Sequence, residues 1–133
     1  MKEHVFRLTK GTDLKKSIAN YCFKNNILAG VIVSSVVSLD KCVMRNAGAT
    51  EIKEINGPLE IISLNGTVSI NRIHLHLSVS NSELLVFGGH LVDGSIVNTT
   101  AEIVIIELDS YVFDKEFDES TGYYELLSTN FTK

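Results

Sequence analysis

His74 and His76 stand two residues apart in Ile73-His74-Leu75-His76-Leu77, and a third imidazole follows in Gly88-Gly89-His90-Leu91. In a strand, side chains two apart point to one face, with Cα atoms about 6.6 Å apart. His74 and His76 therefore share a face with Arg72 and Ser78. Ile73, Leu75, Leu77 and Val79 share the other, which is the core face. Two imidazoles so placed can reach one metal ion. Zinc and similar ions favour three or four such ligands, and three leave one position open for water or substrate. His90 is the third candidate, because two preceding glycines let the backbone bring its ring close to a neighbouring strand. His4 lies near the terminus and has no such context.

Two carboxylates raise a separate question. Glu102 sits in the apolar run Ala101-Glu102-Ile103-Val104-Ile105, and Glu60 stands beside Leu59, Ile61 and Ile62. A carboxylate there is costly unless it is paired or faces outward. An outward-facing residue or an ion-pair partner is the ordinary reading for both. Glu102 is the candidate general base, relaying a proton from a metal-held water, if the site is catalytic. From the residues alone, a polar pair on a solvated strand face competes with a metal site as the reading of His74 and His76.

The elements that must position these groups are mostly strands. Residues 3–9 read as a first strand, broken by Gly11. Thr12 or Asp13 can cap a helix from Leu14, with Leu14, Ile18, Tyr21 and Cys22 at helical spacing and Asn25-Asn26 ending it. Strands are then expected at 30–39, 42–46, 50–55, 59–64, 67–80, 84–87 and 100–108. Turns are expected at Asp40-Lys41, Ala47-Gly48-Ala49, Asn56-Gly57-Pro58 and Asn65-Gly66. The tail adds a terminal strand and a turn at Thr121-Gly122. This is one α+β domain over residues 1–133: a mixed, largely antiparallel sheet of about seven strands with one main helix packed on it, and room for a short second one. One helix covers only part of so apolar a sheet, so other subunits are expected to cover the rest.

Composition narrows the function classes. The chain has 133 residues, 44% hydrophobic and 21% charged, with one proline and nine glycines, which excludes a disordered or low-complexity chain. No apolar run is long enough to span a bilayer and no signal segment is evident, so a soluble, cytoplasmic protein is expected. A net charge of −4 with scattered basic residues argues against tight DNA binding. Cys22 and Cys42 lack CxxC spacing and read as buried, reduced thiols. No GxGxxG or Walker loop appears, and Ser34, Ser35 and Ser38 lie in a strand without a nucleophile elbow.

The ordered segments FRLTKGTDL, SSVVSL…VMRNAG, EIISLNGTV, HLHLSVS, FGGHLVDGSIVNTTAEIVI and FDKEFDESTGYYEL together resemble the PPC domain (plants and prokaryotes conserved domain) in its stand-alone prokaryotic form. The resemblance covers residues 5–127. It implies an α+β fold assembled as a homotrimer, and a three-histidine metal site whose positions map onto His74, His76 and His90; the imidazole ligands themselves make zinc the expected divalent ion. Plant members follow an AT-hook in nuclear proteins and lack this histidine pattern. Prokaryotic members carry a DNA-binding label by analogy, but this chain has no Arg-Gly-Arg-Pro element. Val37 stands where the family usually has Gly, and Lys115 where it usually has Arg. Two function classes follow: a trimeric metal-binding protein, catalytic or binding a small molecule, and a DNA-associated or assembly module without catalytic activity.

Overall fold

In the computed structural model, which describes residues 1–132, a helix start is fixed from two sides by one carboxylate. Asp13 accepts a hydrogen bond from Lys16 N at 3.0 Å through one oxygen and from Gly94 N at 2.7 Å through the other. The first contact caps α1 (Leu14–Lys24), and the second ties the cap to the loop before β6 (Ile96–Glu107). Thr12, the other capping candidate, donates its hydroxyl to Thr9 O instead. Leu14, Ile18 and Cys22 fall one turn apart and are all fully buried. Burial pushes the Cys22 thiol up to about 11, and both cysteines are free, so neither is a poised nucleophile.

The remaining elements are β1 (Lys2–Thr9), β2 (Gly30–Arg45), β3 (Ile52–Val68), β4 (Ile73–Ser80), β5 (Val86–Leu91), β7 (Tyr111–Asp118) and β8 (Tyr123–Asn130). Six strands form one sheet in the order β1-β6-β2-β3-β4-β5, and β5 also pairs back to β2. That closing contact sets Arg45 opposite His90 and Met44 opposite Leu91. The ring of β2, β3, β4 and β5 encloses Leu39, Leu59, Leu75, Val79 and Leu91, all essentially without solvent contact.

The α+β class and the single helix agree with the sequence reading; no second helix occurs among the described residues. The strand count and the pairing differ. Among the described residues there are eight strands, and every pairing is antiparallel, so the sheet is not mixed. The expected turns at Asp40-Lys41, Asn56-Gly57-Pro58 and Asn65-Gly66 lie inside two long strands. Gly57 packs on β2, where an added Cβ would meet Leu39 O and Asp40 O at 2.6 and 2.5 Å. The register shifts between Leu39 and Lys41 at that point. The residues that signalled a turn therefore make an irregular, close-packed stretch of a continuing hairpin.

The reversal into β4 comes later than expected. Ser69 N donates to Arg72 O, while the buried Ser69 hydroxyl accepts from Asn71 N and Arg72 N and donates to Phe113 O. This splits the expected 67–80 strand. The loop at 46–51 is where expected, closed by Asn46 Oδ1 accepting from Thr50 N and Glu51 N. The tail forms a two-stranded hairpin, β7–β8, around Thr121 and Gly122. Phe113 N donates to Leu28 O, and Asn71 Nδ2 to Phe113 O, which anchors that hairpin to the main sheet. No helix among the described residues is long and apolar enough to cross a membrane.

Candidate metal centre

The alternation of β4 divides its residues as the sequence requires. Leu75, Leu77 and Val79 are buried, while His76 is exposed and His74 half-buried on the opposite face. β5 then sets His90 directly across from His76. The three rings converge, with centroids 5.1, 5.1 and 5.4 Å apart. One ligand nitrogen from each lies within 4.8 Å of the others. A tetrahedral ion with metal–nitrogen bonds near 2.05 Å sets such nitrogens about 3.3 Å apart, so the rings would close by up to about 1.5 Å on binding one.

Two glycines make the convergence possible. At Gly66 an added Cβ would sit 1.9 Å from His74 O, so only glycine lets β3 run this close beside the His-x-His segment; its φ of +150° also disfavours other residues. At Gly89 an added Cβ would meet Arg45 O at 2.8 Å and Met44 Sδ at 3.1 Å. Gly88-Gly89 lies within β5 and serves the close approach to β2 and β4 that brings the His90 ring beside a neighbouring strand.

The donor set suits a divalent ion. His90 Nδ1 is buried without a hydrogen-bond partner, an orphaned lone pair or N–H on a ring of the cluster. Burial, then Arg45, then the other two imidazoles push His90 down to about 4. Burial, then Arg72 and His76, lower His74, with Glu125 opposing. Both rings are neutral at neutral pH, as metal ligation requires. The same shift fixes a pH dependence for the metal-free protein. His90 is depressed below its ordinary 6.5, so its contribution to stability is present above that value and is lost as pH falls toward about 4. The thermal midpoint of metal-free protein should decline across that window more steeply than that of His90→Gln, as read by circular dichroism.

The chain does not bring the carboxylate candidates to this cluster. Glu102 is exposed on β6, opposite Arg7 and Val36, and Val36 lies nine positions along β2 from Arg45. Glu60 is exposed opposite Ser38 and Ser80 and lines a different cleft. His4 is apart as expected, buried with Nε2 2.7 Å from Glu107 Oε2 and Nδ1 3.1 Å from Tyr21 Oη. The acid that does face the histidines is Glu125 of β8, half-buried and lining two clefts that contain His74. Arg45 and Tyr123 were also missed. Their only sequence signal is the polar side of alternating strands, and long-range pairing is what delivers them. Arg72, expected on the histidine face, is there, with Nη2 2.9 Å from His74 Nδ1.

A strongly curved antiparallel sheet with one capping helix and a three-imidazole cluster at its closing seam defines a small β-rich class with a candidate metal centre. The chain belongs to the Plants and Prokaryotes Conserved (PCC) domain family, matched over residues 1–109. It is 36% identical over 95% of its length to the bifunctional protein GlmU of a Synechococcus strain, of which it spans only about a fifth. A structure from Salmonella enterica superposes with a TM-score of 0.94 at 32% identity, covering 98% of this chain and 94% of that one. A metal-containing protein from Archaeoglobus fulgidus gives 0.83 at 29% identity, over 96% and 94% of the two chains.

Proposed function

We propose that this chain binds one divalent metal ion, zinc, through His74, His76 and His90, and presents it for catalysis or small-molecule binding. The observation that carries this reading is the convergence of three imidazoles with ligand nitrogens within 4.8 Å, beside a His90 Nδ1 that is buried and unpartnered. The metal-containing character of the Archaeoglobus relative supports it. Three protein ligands leave a fourth position, where zinc supplies Lewis acidity. Glu125, facing His74 across the cleft, is the chain's own carboxylate able to hold or accept a proton there. A cleft of about 490 Å³ bordered by His76, His90, Arg45 and Asn65 gives access. Purified protein loaded with zinc and dialysed should retain one ion per chain; retention of none overturns the reading. The net charge of −4 works against association with DNA as the alternative role.

The proposed assembly is a homotrimer. Val5, Val33, Val36 and Ile62 of the sheet are each more than half exposed in the single chain, as are Leu84 and Val86. So much apolar strand surface is a typical subunit interface. Analytical ultracentrifugation at micromolar protein should give three times 14.7 kDa, and a stable monomer would contradict it.

A further inference from the structure

The hydrogen bond between Arg72 and His74 conflicts with metal ligation. A guanidinium only donates, so His74 Nδ1, 2.9 Å from Arg72 Nη2, must be accepting, and the ring proton is on Nε2. A neutral imidazole that binds a metal gives it one nitrogen and keeps its proton on the other. If Nε2 takes the ion, Nδ1 carries the proton and meets Arg72 donor to donor. If Nδ1 takes the ion, the ion occupies the place of the guanidinium. Either way Arg72 lets go of His74. Its other contact, Nη1 to Thr67 Oγ1, is long at 3.5 Å and holds it weakly.

Arg45 lines the same cleft as Arg72, His74 and His90. It pairs in register with His90, its Nε is buried without a partner, and its guanidinium carbon lies 5.9 Å from the Tyr123 ring centre. Among the described residues lining these clefts, Glu125 is the one carboxylate. An ion held by three imidazoles in a cleft lined by two guanidiniums, opposed by a single acid, makes a strongly positive, partly desolvated site in a chain whose net charge is −4.

We infer that metal loading frees Arg72 to act with Arg45 as a receptor for an oxyanion, the carboxylate or phosphate group of a small molecule, at the open position of the ion. Guanidinium forks match either group, and charge-assisted bonds of this kind are the strong ones. In the metal-free protein Arg72 stands in for the cation at His74. This inference rests on the three-histidine reading and adds the ligand class to it.

The test is calorimetric titration of the full chain, metal-free and zinc-loaded, with acetate and with inorganic phosphate, at ionic strength fixed with chloride. At least one anion should bind the loaded protein about 10-fold or more tightly than the metal-free protein; which one does separates carboxylate from phosphate ligands. Arg72→Gln and Arg45→Gln should each weaken that binding about 10-fold while retaining one zinc per chain, and Lys10→Gln should leave it unchanged. Equal anion affinity with and without zinc, or in Arg72→Gln and Arg45→Gln as in wild type, overturns the inference if zinc stoichiometry holds at one. Absence of zinc uptake by the wild-type chain instead overturns the metal reading, and this inference with it.

Discussion

Replacing His76 with alanine should reduce retained zinc from one per chain to below about 0.1, because two imidazoles cannot hold the ion that three can. The fold should survive the change. His76 is exposed, its side chain makes no hydrogen bond among the described residues, and it projects away from the buried Leu75 and Leu77. The metal-free thermal midpoint should therefore stay within about 2 °C of wild type, consistent with the small cost of an exposed substitution. His90→Ala should lose zinc equally but also open space beside Arg45. Metal content by mass spectrometry, read with a melting curve on the same sample, separates loss of a ligand from loss of the fold.

The second large effect is on stability and concerns Gly66. Its added Cβ would lie 1.9 Å from His74 O and 3.0 Å from Leu75 Cα, both backbone atoms that cannot step aside without breaking the β3–β4 ladder. Overpacking against backbone together with an unfavourable φ should cost Gly66→Ala on the order of 3–5 kcal/mol. Gly11 is the control. Its φ of +88° is also unfavourable for alanine, but an added Cβ meets nothing within 4 Å. Gly11→Ala should therefore cost only about 1 kcal/mol. Urea denaturation of both variants measures the difference. Equal, small costs would mean that β3 does not run so close to the histidine segment.

These two residues also show what the sequence reveals and what it conceals. The alternation around His74 and His76 is a local property of one strand. Side-chain period fixes which residues share a face, so the polar face, including Arg72, is legible before any fold is known. The helix from Leu14 to Lys24 is legible for the same reason: the cap, the apolar stripe and the terminating Asn25 are local. Asn65-Gly66 and Asn56-Gly57-Pro58 mislead because glycine serves two purposes with one local signature. A turn needs its freedom, and a crowded strand needs its missing Cβ; only the neighbouring strand distinguishes them. Glu125 and Arg45 are illegible for a different reason. They reach the histidines through the β2–β5 closure and the anchoring of the β7–β8 hairpin by Phe113, contacts between residues far apart in the chain. Ser69 likewise gives no turn signal of its own, because its hydroxyl is recruited by Phe113 O from another hairpin. Glu102 attracts attention by its apolar neighbours, yet those neighbours alternate inward and leave it outside.

The most direct test of the account is X-ray absorption at the zinc edge of the loaded wild-type protein. The prediction is one zinc per chain, bound by three imidazole nitrogens at about 2.0–2.1 Å with a fourth light-atom ligand. No retained zinc, a sulfur shell at about 2.3 Å, or a spectrum lacking imidazole scattering would contradict it.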